Sequence, residues 1–305
     1  MYCPCGYHFA LDPKTDGISD RRFISFINGA SCNGTFSFTE TQLYTAACRK
    51  QLTGWSGKSV LVLAGLLAVF LILALITENS FFFIFAFGVL TFTLLGAGNW
   101  VWCRFIKRVS LSQFNDWFDK YSQIHGPIKG LIETAGLSEP PPEVGEPDVY
   151  DYGVERVLIV QRQILVDLLI ANRIHLANRS VIVSGDGYPR YIAATVEKLL
   201  EESPELPVFL LHDADEEGTR WAQSQQERYQ SSGRSVTDMG LSPDTVKKIR
   251  KLSVLKLKAK QYRAAVDALP MAMLANGIAL SMEHKVSMHD LLIGETSVDI
   301  LTSFG

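Results

Sequence analysis

From Ser59 to Ile76 the chain runs SVLVLAGLLAVFLILALI, and from Phe81 to Cys103 it runs FFFIFAFGVLTFTLLGAGNWVWC, with no charged residue in either stretch. As helices the first would reach roughly 27 Å and the second somewhat more, which is enough to cross a bilayer. Only Thr77-Glu78-Asn79-Ser80 separates them, so the pattern predicts an antiparallel hairpin of two transmembrane helices, 59–76 and 81–103. Arg49, Lys50 and Lys58 precede the first span, Arg104, Lys107 and Arg108 follow the second, and the turn holds neither Lys nor Arg. That asymmetry predicts a multi-pass protein of the inner (plasma) membrane with both termini cytoplasmic and the lipid bilayer as a partner. Ala64 and Ala68, with Gly88, Gly96 and Gly98, thin the two helices, which suits hairpin closure or a homo-oligomer.

The rest of the chain changes period. Residues 1–55 read as a small N-terminal cytosolic domain, ending in a capped helix from Thr39 to Lys50. Residues 110–136 place Phe114, Trp117, Phe118, Tyr121 and Ile124 on one face of a helix, expected beside the membrane. Residues 137–153, with EPPPEVGEP, have the stiff composition of a linker. From 154 to 240, apolar runs at 157–160, 180–184 and 208–212 alternate with helical stretches at 162–172 and 189–202. This predicts an α/β domain with a parallel sheet covered on both faces. Residues 241–305 read as a basic and helical extension.

Composition adds one local feature. The 305 residues carry a formal net charge of −3 and a mean hydropathy of +0.12, which predicts no global polyanion binder. Between Asp244 and Asp267, however, there are eight Lys or Arg and no acid. In VLKLKAK a strand would line up Lys256, Lys258 and Lys260 on one face. Such a row can follow the phosphates of DNA or another nucleic acid, or anionic lipid, or simply guard an edge strand.

The third apolar run of the α/β region ends in HDADEEG, with Asp213 and Asp215 at a strand's carboxyl end, where open α/β sheets bind ligands. Spaced i, i+2, the two carboxylates can hold one Mg²⁺. The same letters also describe a helix start, with Asp215 as N-cap and Glu216 and Glu217 in the first turn. The strand ends LIVQR (158–162), SGDGYPR (184–190) and HDADEEG (212–218) stand in the order and spacing of a Toprim domain. They resemble most the Toprim version found in the A subunit of topoisomerase VI and its relative that makes meiotic DNA breaks. The resemblance implies a parallel sheet, a Mg²⁺ site at Asp213 and Asp215, and a binding loop of Gly185, Asp186, Gly187, Tyr188 and Arg190. It also implies a glutamate as acid/base at the end of the first strand, where this chain has Gln161. No winged-helix module with a nucleophilic tyrosine precedes the domain, so tyrosyl DNA cleavage is not expected.

Cys3, Cys5, Cys32 and Cys48 form a second candidate set, for Zn²⁺, although C-x-C is tighter than the usual zinc spacing; reduced thiols are the other reading. Two function classes follow. One is a membrane-anchored, non-catalytic Toprim-like module that binds a nucleic acid, a nucleotide or a protein partner. The other is a Mg²⁺-dependent phosphoryl-transfer enzyme such as a tethered nuclease.

Overall fold

The structure, a computed structural model, describes residues 6–51, 109–139, 153–243 and 264–293. The expected transmembrane hairpin, the lysine row and most of the Pro-rich linker lie outside the described residues. The chain divides into two compact units, residues 1–46 with 119–305, and residues 47–118.

The expected membrane class and multi-pass inner-membrane location require correction. Among the described residues no helix is long and apolar enough to cross a membrane. The longest described helices have 15 residues, about 22 Å, against roughly 30 Å of hydrocarbon. What the structure shows is an α/β fold with parallel sheets.

In the larger unit, α1 (Asp20–Ala30) starts at Ser19, whose side chain accepts from the Arg22 amide, and buries Phe23, Phe26 and Ala30 at helical spacing. Strand β1 (Phe38–Thr39) pairs in parallel with β2 (Leu131–Ile132), Phe38 opposite Leu131. Helix α2 (Glu40–Gln51) follows at once. Its start is a reciprocal cap: the Gln42 amide donates to Thr39 Oγ1 at 3.3 Å, and the Thr39 amide donates to Gln42 Oε1 at 3.0 Å. The expected helix over 39–50 is therefore present, and TETQ is its start signal. Helix α3 (Leu111–His125) covers the first half of the segment predicted at 110–136.

The main sheet consists of β3 (Arg156–Val160), β4 (Ser180–Ser184), β5 (Val208–Leu211) and β6 (Val236–Asp238), all parallel, in the order β4-β3-β5-β6. The first three match the apolar runs in the sequence. They are readable because a strand buried on both faces has no polar alternation to blur it. Leu158, Val160, Phe209 and Leu211 face one layer, with α4 (Gln163–Ala171), α5 (Ile174–Ala177) and α8 (Met271–His284). Val157, Ile159, Val208 and Leu210 face the other, with α6 (Arg190–Glu202) and the half-buried Trp221 and Tyr229 of α7 (Glu216–Gln230). A short 3₁₀ turn, Val266–Ala268, precedes α8, and α9 (Met288–Ile293) follows it. Thus C-terminal residues 266–288 complete a face of the sheet.

The N-terminal segment is tied into this unit by buried polar contacts. Asn172 at the end of α4 accepts from the Ser37 amide at 2.8 Å and donates to the Ser37 carbonyl at 3.0 Å. Gln42, 3% exposed, donates to the Leu269 carbonyl at 3.0 Å. Gln42→Ala strands the Thr39 amide and the Leu269 carbonyl in the interior. We expect a loss of about 1–3 kcal/mol for each group left unpaired, read as a lower urea midpoint at unchanged slope.

Candidate functional site at the carboxyl edge of the sheet

The chain moves from β3 to β4 on one side and then crosses to β5 on the other. The order of strands therefore reverses between β3 and β5, the place where connections diverge and leave a crevice. The loops after all four strands meet at this edge.

After β3, Gln161 turns its side chain inward, and Oε1 accepts from the Asp213 amide at 2.9 Å. Arg162 lies between two acids. Its Nε is 2.7 Å from Asp213 Oδ2, its Nη2 donates to Asp213 Oδ1 at 3.1 Å, and Nη2 also pairs with Asp267 Oδ1. The remaining partners hold the carboxylates in place: the Val266 amide donates to Asp213 Oδ1 at 2.8 Å, and Thr39 Oγ1 donates to Asp267 Oδ2 at 2.7 Å. Asp267 is fully buried. Burial opposes the charge on Arg162, but Asp267 and Asp213 outweigh it and raise its pKa above the ordinary arginine value. Burial also raises the Asp213 carboxyl, with Arg162 opposing.

The second aspartate of the D-x-D does something else. Asp215 is the N-cap of α7: its Oδ1 accepts from the Gly218 amide at 2.7 Å, and Glu216 and Glu217 occupy the first turn. Of the two aspartates, one is in an ion pair and the other caps a helix.

Between them and β6 lies His212, 3% exposed. Its Nδ1 is 2.7 Å from the Asp213 carbonyl, and its Nε2 is 3.2 Å from Asp238 Oδ1. Both ring nitrogens thus face acceptors, which the doubly protonated imidazolium satisfies. Burial pulls the His212 pKa down, but the hydrogen bond and charge of Asp238 prevail and raise it. Burial pushes Asp238 up, and His212 more than reverses this, holding it low. Two glycines make room. A Cβ on Gly240 would overlap the His212 ring, and one on Gly218 would overlap the Asp213 carbonyl and come within 2.9 Å of His212 Nδ1.

The loop after β4 is locked from within. Ser184 Oγ donates to Asp186 Oδ1 and accepts from the Tyr188 amide at 2.9 Å, while Gln163 Nε2 donates to Asp186 Oδ2 at 2.6 Å. The Ser184 hydrogen bond lowers the Asp186 pKa. Gly187 takes φ +79°, the left-handed turn glycine allows, and a Cβ on Gly185 would come within 2.9 Å of the Trp221 indole. Tyr188 donates to Asp167 Oδ1 at 2.7 Å and accepts from the Leu137 amide at 2.5 Å. Burial and Asp167 push its phenol up to about 12. Arg190 is exposed in the first turn of α6.

The structure places Gln161, Asp213, Asp215 and the 185–190 loop at one edge. It adds Arg162, Asp267, Thr39, His212 and Asp238 to the site. No signal marked Asp267, an isolated acid after a basic run. Arg162 could have been suspected as a charge directly following a buried strand. Lys256, Lys258 and Lys260 lie outside the described residues, as do Cys3 and Cys5. Cys32 is half-buried in a left-handed turn after α1, and Cys48 is buried on α2. Among the described residues no group of three or more His, Cys, Asp or Glu is placed to hold a metal ion.

Comparison with family models, curated proteins and solved structures finds no match.

Two outcomes are expected. Because the folded pKa of His212 is raised, its contribution to stability is fully present below the ordinary histidine value of about 6.5 and is lost as pH rises through the folded value. NMR titration should give His212 a midpoint above 6.5, and Asp238→Asn should lower it. Gly240→Ala forces a methyl onto the ring and should cost about 1–3 kcal/mol or more in denaturant unfolding.

Proposed function

We propose that the α/β unit is a Toprim-like binding module that holds nucleic acid without cutting it. The observation that carries this reading is Gln161. It stands where the resemblance calls for an acid/base glutamate, and its carboxamide is bound to the Asp213 amide. A carboxamide neither donates nor accepts a proton at neutral pH, so position 161 does not supply the acid/base group that the resemblance calls for. The aspartates point the same way. Asp213 is engaged by Arg162 and Val266, and Asp215 is engaged as a cap.

The nucleic-acid part of the reading rests on charge and tethering. The basic stretch begins just after Leu241, which is buried against the core. It ends at Ala264, whose backbone pairs antiparallel with Ala214 between the two aspartates, with N···O distances of 2.8 and 3.3 Å. The described residues that flank the eight Lys or Arg of positions 244–263, Leu241 and Ala264, both lie at the carboxyl edge. Asp186, Glu216 and Glu217 repel phosphate from the edge itself, so the lysines, not the strand ends, would carry the backbone contacts.

Fluorescence anisotropy with labelled single- and double-stranded DNA tests this. We expect binding that weakens steeply with salt, is indifferent to chelator, and leaves the strand intact on a denaturing gel. The Lys256→Ala, Lys258→Ala, Lys260→Ala variant should bind more weakly, with the log–log salt slope reduced by about 0.9 for each phosphate that is no longer neutralised. Mg²⁺-dependent cleavage that disappears in Asp213→Ala would replace this reading with a phosphoryl-transfer enzyme. Binding of a nucleotide or protein without any binding of DNA or RNA would overturn the nucleic-acid part alone.

A further inference from the structure

We infer that Asp213 and Asp267 form a cation-binding site that the protein fills with its own guanidinium, Arg162 standing where a divalent cation would otherwise be required. This deepens the reading of the edge as a metal-independent module, and its test does not depend on nucleic acid.

Several independent observations converge on it. The two acids come from distant segments, one at the end of β5 and one in the turn before α8, and they meet at a single positive group. Both oxygens of Asp213 and one of Asp267 contact nitrogens of Arg162. Their other partners, the Val266 amide and the Thr39 hydroxyl, leave the carboxylates aimed at the guanidinium. Asp267 is fully buried, and the Asp213 side chain is 15% exposed. Two carboxylates that converge on one point, one fully buried and one largely shielded from water, do not both stay ionised without a cation between them. A hydrated Mg²⁺ or Ca²⁺ and a guanidinium are alternative solutions to that requirement. The guanidinium, which does not deprotonate in proteins, makes the solution permanent and independent of metal supply.

The consequence is mechanical. Through Asp267 the cation holds the turn that begins α8, and through Thr39 it reaches the start of α2. Docking of both the N-terminal and the C-terminal segment on the edge then needs no metal. Chelator should leave the wild-type melting temperature unchanged.

The test is thermal unfolding of the full chain with and without millimolar Mg²⁺ or Ca²⁺. Arg162→Gln removes the charge at similar reach. We expect its melting temperature to drop and then to recover saturably with divalent cation, whereas wild type responds to neither cation nor chelator. Arg162→Lys, which keeps a cation, should show a smaller drop and no metal response. Arg162→Gln combined with Asp213→Asn should lose the metal response, because the pair no longer exists. If Arg162→Gln does not fold in buffer, recovery of its circular dichroism on adding the cation supports the inference equally. Three results would overturn it: no rescue of Arg162→Gln by either cation, rescue by mild acid but not by metal, or stabilisation of wild type by metal. DNA binding that fails while the metal rescue succeeds would sink the nucleic-acid reading and leave this one standing.

Discussion

One half-buried guanidinium organises the carboxyl edge. Arg162 leaves β3, crosses to Asp213 at the end of β5, and reaches Asp267 in the turn that begins α8. Taking these charges out of water is costly, and such trios are weak contributors to net stability compared with apolar packing. Breaking one is a different matter, since an uncompensated buried charge costs about 3–5 kcal/mol. The trio therefore acts as a constraint more than as a source of stability. It admits one register of the C-terminal segment on the sheet, and it orients Asp213 so that the neighbouring contacts can form.

Those contacts follow in order from Asp213. Its amide is held by Gln161, its carbonyl accepts from His212, and His212 in turn reaches Asp238 at the end of β6. The loops after β3, β5 and β6 are thus linked through a single residue. Gly240 and Gly218 are required because the ring of His212 and the Asp213 carbonyl, respectively, fill the space where their side chains would be. The loop after β4 joins through Gln163 and Asp186, and Tyr188 with Asp167 fixes the Gly136–Leu137 backbone beside it. An edge so fully cross-bonded has little freedom to rearrange around a metal or a reacting phosphate.

How much of this could be read in advance depended on the kind of signal. Strands β3, β4 and β5 were legible because parallel strands buried on both faces are plain apolar runs. The helix after Thr39 was legible because T-x-x-Q is a local capping pattern with a local cause. Strand β6 was not, being three half-buried residues, Val236-Thr237-Asp238, on the sheet's outer side. The long apolar stretches at 59–76 and 81–103 weighed most in the sequence, yet the described helices are segments of ordinary length that pack in α/β layers. The hydrophobic-length rule registers apolar runs and says nothing of what packs around the rest of the chain.

The D-x-D motif shows where sequence reasoning stops. Metal ligand and helix cap are both sound readings of Asp213 and Asp215, and their spacing fits either. What separates them is Asp267, far along the chain, together with the arginine that bridges to it. A charge pair between remote segments leaves no periodicity and no local motif, so only the fold could bring Asp267 to Asp213. Once it is there, the electrostatics leave little choice: an added acid beside a buried acid demands a cation, and Arg162 is the one that bridges them. Gln161, where the resemblance calls for Glu, belongs to the same logic. A carboxylate at position 161 would add a third negative group beside Asp213 and Asp267, the pair that Arg162 bridges, whereas a carboxamide holds the Asp213 amide without adding charge.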